Sequence, residues 1–246
     1  MSIEALAVLV TVGSAAFAAL VAFAWAAYLS VWMSPRITPR VPLMRWWAAG
    51  SISAAVTFGL SMLVLDTTIT PVIAVIVPIL VLSTFVDAKT KRIPNPYVIQ
   101  AGLLAIASAI WLLVGPYHAE GFWTVVAWAA ALAGITFVFT LVMNIVSRGG
   151  LGMGDVKLSS VMAFFLILIV TWGWSAAAIA SFIAPLLIVL IVCSWLTVSF
   201  LIGGLYILAR GLMGSKNTIP FGPFLVLGFV AVAAATPVFS SVIELI

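Results

Sequence analysis

Two acidic residues of this chain stand where an acid is costly, at the ends of long apolar runs. Asp87 lies in "STFVDAKTKRIPNPY" and Asp155 lies in "GLGMGDVKLSS". Acids at the depth of a membrane boundary are functional candidates, because burying their charge is expensive. Two carboxyl groups in contact resist double ionisation and share one proton. One can then act as a base on water and the other as an acid toward a carbonyl, so the pair predicts peptide hydrolysis by an aspartyl dyad.

A simpler interpretation stays open for each acid. Asp87 would pair with the basic residues that follow it in a solvated loop. Asp155 would act as the N-cap of the next helix, where aspartate is favoured and the helix dipole stabilises its charge. A dyad requires the two side chains to converge in space, which spacing along the chain does not show.

The residues around the two acids shape the backbone. Glycine lets a second backbone approach closely, so Gly152 and Gly154 would allow an extended peptide to lie against the protein. In "RIPNP", Pro94 prevents helix continuation, and Asn95 either caps the next helix or hydrogen-bonds a substrate. Together with Lys157, two residues after the second acid, these are the predicted substrate-binding residues.

The segment "TIPFGPF" opens the last apolar run. Pro220 is well placed near a helix start, and the following Gly222 and Pro223 leave local backbone groups free. The alternative interpretation is a plain helix entry.

The composition predicts the elements that must position these residues. The 246-residue chain is 65% hydrophobic and 7% charged, whereas soluble domains are roughly 25% charged. We therefore expect an all-α, polytopic membrane helix bundle that forms a single integral-membrane domain over residues 1–246. The single cysteine, Cys193, excludes an internal disulfide and a cysteine-cluster metal site. No metal and no other cofactor is predicted.

A membrane-spanning helix needs about 20 apolar residues. By this criterion the sequence contains eight candidate spans, at residues 5–33, 48–65, 69–86, 97–114, 122–146, 156–171, 175–209 and 220–240. The seventh is longer than one crossing requires, and a break is expected at Pro185 or at the pair Gly203 and Gly204.

Charge predicts the orientation of the bundle. With eight spans, one side of the membrane receives the loops 34–47, 87–96, 147–155 and 210–219 and, with their helix ends, all ten lysines and arginines. The positive-inside rule makes this side cytoplasmic and places both termini outside. The basic residues are then orientation signals that also contact anionic lipid, and binding of nucleic acid is not expected. Asp87 and Asp155 are the two acids on the basic side, at a shared depth.

Three motifs together resemble the type IV prepilin peptidase family of "G-x-G-D" membrane aspartyl proteases. They are Asp87 followed by "IPN" at 93–95, "GMGDVK" at 152–157 and "IPFGPF" at 219–224. The resemblance covers roughly residues 83–230. It implies that Asp87 and Asp155 are catalytic, and that the protein lies in the cytoplasmic (inner) membrane of a prokaryote.

The resemblance also implies a substrate, a prepilin or pseudopilin of a type IV pilus or type II secretion system. Its short basic leader would be removed at the cytoplasmic membrane boundary. Many family members carry two C-x-x-C pairs in the first cytoplasmic loop, associated with N-methylation of the product. Here that loop is the short, cysteine-free segment 34–47, so N-methyltransferase activity is expected to be absent.

Other functions remain open from the sequence. An ion-coupled transporter would use Asp87 and Asp155 as ion sites, although such sites usually lie at the bilayer midplane. A second alternative is a presenilin-like intramembrane protease, a group that shares the G-x-G-D motif. A third is a catalytically inactive relative of the prepilin peptidases that acts in pilus assembly. Within the dyad, helix dipoles predict that Asp155, at a helix start, is the carboxylate and that Asp87, at a helix end, holds the proton.

Overall fold

The computed structural model describes residues 76, 79–80, 83–84, 86–88, 91, 93, 95–114, 119–148, 151–171, 174, 176–212 and 220–235. The chain divides into two compact units, residues 1–86 and 87–246. The described residues of the first unit are helical, and the hydroxyls of Ser83 and Thr84 both donate to the carbonyl of Leu80 at 2.8 Å. The loop 34–47 and the first two predicted spans lie outside the described residues, as do both termini.

The second unit contains the helices α1 (Asn95–Val114), α2 (Ala119–Val146), α3 (Met153–Val170), α4 (Ala176–Ala180), α5 (Ile183–Leu212) and α6 (Gly222–Ala234). No strand occurs among the residues that the structure describes, which confirms the all-α prediction. Three stretches are long and apolar enough to cross a membrane: Gly121–Val146, Met153–Val170 and Ile183–Ala209. The count of eight spans stays a prediction.

The long seventh run is broken at a different place from the predicted one. A turn at Ser181 and Phe182 separates α4 from α5, and the Ser181 hydroxyl accepts a hydrogen bond from the N–H of Ala184 at 3.3 Å. Pro185 is only the third residue of α5, where an intrahelical N–H is not yet needed. The glycine pair at 203–204 lies inside the continuous helix, so the predicted break at either place is wrong.

Helix α3 is the centre of the second unit. It packs against α1, α2, α5 and α6, and it is the most buried of the three long apolar stretches. Hydroxyl groups join it to α2: Ser159 donates to Thr140 at 3.2 Å, and Ser160 donates to the carbonyl of Ala133 at 2.8 Å. Such hydrogen bonds satisfy polar groups that lipid cannot satisfy. Asp155 therefore projects from the best-anchored helix of the unit.

Helices α5 and α6 pack through small residues and rings. The indole N–H of Trp195 donates to the carbonyl of Leu225 at 2.9 Å. A Cβ added at Gly203 would stand 2.8 Å from the ring of Phe221, so that ring rests directly on the α5 backbone. The rings of Phe200 and Phe221 lie 5.0 Å apart. These contacts hold the start of α6 against α5.

Candidate active site

Asp87 is a buried acid at the end of a helical stretch. Its backbone carbonyl accepts a hydrogen bond from the N–H of Lys91 at 2.7 Å, and Lys91 adopts the left-handed conformation, with φ of 55°, that commonly ends a helix. The Asp87 side chain is only 1% exposed. Its Oδ2 accepts a hydrogen bond from the backbone N–H of Gly222 at 2.8 Å. The start of α6 therefore lies against this carboxyl group.

The sequence around Gly222 leaves one amide available for that bond. The first N–H groups of a helix have no partner within it. Pro223 has no N–H, and the N–H groups of Phe224 and Leu225 donate to the carbonyl of Phe221 at 3.0 and 3.3 Å. Among residues 222–225, the N–H of Gly222 thus remains to bind an acceptor outside the turn, and that acceptor is the Asp87 carboxyl group.

Asp155 is the third residue of α3, and the N-cap of this helix is Gly152. The interpretation of Asp155 as an N-cap is therefore wrong. Its Oδ2 accepts a hydrogen bond from the N–H of Gly152 at 3.2 Å, the arrangement of an acidic side chain that reaches back to the helix start. The side chain is 5% exposed, and its Oδ1 is buried with no hydrogen-bond partner among the described residues.

The two carboxyl groups lie close enough to interact electrostatically. Asp87 lies just outside the predicted span 69–86. Burial raises the pKa of its carboxyl group, and the hydrogen bond from Gly222 opposes that shift. Two buried, interacting carboxyl groups favour a state with one proton between them. Among the described residues, no three His, Cys, Asp or Glu side chains come together as a metal site would require.

The predicted substrate-binding glycines make contacts within the chain. A Cβ at Gly154 would stand 2.7 Å from the carbonyl oxygen of Ile93, so the close approach that this glycine permits is to the backbone after Asp87. A Cβ at Gly152 would stand 3.0 Å from Oδ2 of Asp155. Both glycines thus allow close contacts within the segments that carry the acids. Their role in substrate binding stays a prediction.

The remaining predicted site residues meet at the same end of the unit. The ammonium group of Lys157 donates to Oδ1 of Asn95 at 3.0 Å, which joins the start of α1 to the first turns of α3. Both residues are accessible to solvent in part or in full. Pro94 lies outside the described residues. The two residues predicted to make polar contacts with substrate are therefore neighbours, and their substrate binding stays a prediction.

A sequence model of the type IV leader peptidase family matches residues 74–208, more than half of the chain. The chain belongs to the type IV leader peptidase family. The matched region includes Asp87 and Asp155 and ends before α6 begins. No curated protein and no solved structure matches the chain significantly. Family membership, together with the apolar helices, makes this protein a membrane peptidase.

Sequence reasoning missed the contact between Gly222 and the first acid of this leader peptidase. The segment "IPFGPF" indicates a helix start, but its position relative to Asp87 depends on how α5 and α6 pack. The local signal was the Gly-Pro pair at a helix start, which leaves one N–H without a partner. The identity of the acceptor could not be read from it.

Proposed function

We propose that this leader peptidase removes the short basic leader of type IV prepilins or pseudopilins, using Asp87 and Asp155 to activate water. The observation that carries the proposal is that two acids 68 positions apart in the sequence are both buried, in segments that meet where Gly154 packs against the backbone of Ile93. Asp87 lacks the solvated surroundings that the simpler interpretation requires, and Gly152, not Asp155, is the N-cap of α3.

The depth of the pair suits such a substrate. Two contacts join the helix ends near the pair. Asp87, at the end of its helical stretch, contacts the start of α6, and Lys157 joins the start of α3 to the start of α1. Arg148, just after α2, and Lys157 lie in the segments that the positive-inside rule assigns to the cytoplasm. A prepilin that crosses the inner membrane would present the junction between its basic leader and its hydrophobic helix at this level.

The chemistry follows from a pair that holds one proton. The ionised carboxylate removes a proton from water, and the water oxygen attacks the scissile carbonyl carbon while the protonated partner gives its proton to the carbonyl oxygen. The tetrahedral intermediate then collapses: the C–N bond breaks, the leaving nitrogen accepts a proton from the first acid, and the second acid recovers its own from the hydroxyl. The sum is one water added across the peptide bond.

The test is co-expression with candidate prepilins from the same genome, with mass spectrometry of the pilin N-terminus. Asp87→Asn and Asp155→Asn should each reduce cleavage at least about 10³-fold, because each removes one role of the dyad. Asp66 lies between the second and third predicted spans, on the side opposite to the dyad, so the matched change Asp66→Asn should leave cleavage at the wild-type rate. Substantial cleavage by either dyad variant contradicts the mechanism, and cleavage within the hydrophobic helix would favour the presenilin-like alternative.

We also propose that the protein lacks N-methyltransferase activity, since the segment 34–47 contains no cysteine. Incubation with prepilin and labelled S-adenosylmethionine tests this directly. The expected product has an unmethylated N-terminus, and transfer of label to the mature pilin would overturn the proposal.

A further inference from the structure

The two carboxyl groups of the proposed dyad accept hydrogen bonds of different length. Asp87 accepts a hydrogen bond of 2.8 Å from the backbone of α6, whereas the bond to Asp155 from Gly152 is 3.2 Å long. Asp155 also has a buried Oδ1 with no partner among the described residues. A hydrogen bond to the charged form of an acid favours that form, so the better-supported carboxyl group is the better candidate for the anion.

The start of α6 adds a second electrostatic contribution. The N-terminus of a helix carries a partial positive charge, which stabilises a carboxylate next to it. The Gly222 N–H directed at Asp87 is the first helical amide of the 13-residue α6. Asp155 also lies at a helix start, that of α3, so the helix dipoles no longer separate the two acids. The proton of the pair is then best placed on Asp155 because its Oδ1 has no other partner in the described structure.

On these observations we infer that Gly222 is a positioning residue that makes Asp87 the resting carboxylate, and hence the base, and leaves Asp155 as the proton donor. The inference rests on the proposed function and reverses the assignment that the helix dipoles alone predict. That assignment considered the helix that Asp87 ends and the helix that begins beside Asp155, and it could not include the start of α6. A side chain at 222 would disturb this hydrogen bond, because a Cβ there would stand 2.9 Å from Oδ2 of Asp87.

The other charged groups near Asp87 do not provide this support in the described structure. Helix α6 contains no titratable residue, and α3 contributes Asp155. Lys157, also on α3, is hydrogen-bonded to Asn95, and Lys91 is exposed. The basic residues at 89 and 92 lie outside the described residues.

The test is the pH profile of prepilin cleavage by Gly222→Ala in membranes or micelles. The added Cβ should displace the Asp87 carboxyl group from the amide. Loss of a hydrogen bond to a charged group should move the acidic limb of the profile up by about one pH unit, which is about a tenfold loss of rate on that limb. Gly204→Ala, whose Cβ meets nothing within 4 Å, is the matched control and should keep the wild-type profile.

A purely structural role for Gly222 would lower the rate equally at every pH, and that result would overturn the inference. Should Gly222→Ala not accumulate, infrared titration without substrate provides a second measurement. The lone Asp87 in Asp155→Asn should ionise at a lower pH than the lone Asp155 in Asp87→Asn. The opposite order overturns the inference regardless of cleavage, whereas absence of cleavage by both wild type and Gly204→Ala contradicts the proposed function itself.

Discussion

Asp87 and Asp155 lie at the same end of the second unit, but contacts of very different range hold their carboxyl groups. Asp155 accepts a hydrogen bond from a residue three positions earlier, within its own helix start. Asp87 accepts one from Gly222, 135 positions later in the chain. The "G-x-G-D" segment therefore contains both the acid Asp155 and the amide that donates to it, whereas the amide that donates to Asp87 is brought there by the packing of α6. Changes that move the start of α6 should therefore affect Asp87 before Asp155.

The largest effect on stability is expected where the segments that carry the two acids meet. Gly154→Ala would place a Cβ 2.7 Å from the carbonyl oxygen of Ile93, and backbone cannot yield as a flexible side chain does. We expect a loss of about 2–3 kcal/mol in the free energy of unfolding, the upper range for overpacking. Thermal unfolding in detergent micelles measures it. Gly134→Ala, which faces open space, is the control, and equal stability of the two variants would show that this contact is dispensable.

A smaller effect is expected at the residue of α5 on which the start of α6 rests. Gly203→Ala would press a Cβ against the ring of Phe221 at 2.8 Å and so shift the neighbouring Gly222. We expect about 1–2 kcal/mol of destabilisation, and a cleavage profile that moves toward that of Gly222→Ala. Gly204→Ala gains the same helix propensity without the contact. An unchanged pH profile of cleavage in Gly203→Ala would show that changes in α5 do not reach the Asp87 carboxyl group.

Loss of the Trp195 hydrogen bond should affect stability alone. Trp195→Phe removes the N–H that reaches the carbonyl of Leu225 and leaves that buried carbonyl without this donor, at a cost of about 1 kcal/mol. The unfolding midpoint should fall while the pH profile of cleavage stays in place, because the first turn of α6 keeps its own hydrogen bonds. A shifted profile would mean that the orientation of α6 is less firmly held than the ring contacts imply.

The smallest effect on stability is expected at the accessible pair Lys157 and Asn95. Surface interactions of this kind contribute less than about 1 kcal/mol, so Lys157→Gln should leave the unfolding midpoint almost unchanged. Its cleavage rate then tests the substrate-binding prediction by itself. A loss of tenfold or more at an unchanged unfolding midpoint would support contact between Lys157 and substrate, and a wild-type rate would contradict it.

The sequence alone determined the properties that depend on local chemistry. Hydropathy predicted the all-α architecture, and two acids at the ends of apolar runs, with the three motifs around them, indicated the family that the sequence comparison shows. A helix start and its back-bonded acid, as at Gly152 and Asp155, involve neighbours in sequence, so the motif itself contains most of that information.

Only the tertiary structure decided the contacts between segments far apart in the chain. The approach of Ile93 to Gly154 and the hydrogen bond from Gly222 to Asp87 depend on how whole helices pack. The break at Ser181 and Phe182 likewise replaced the one predicted from proline and glycine. Residue type shows that an amide is free or that a backbone can be approached closely. Which group takes that place depends on the packing of all the helices together.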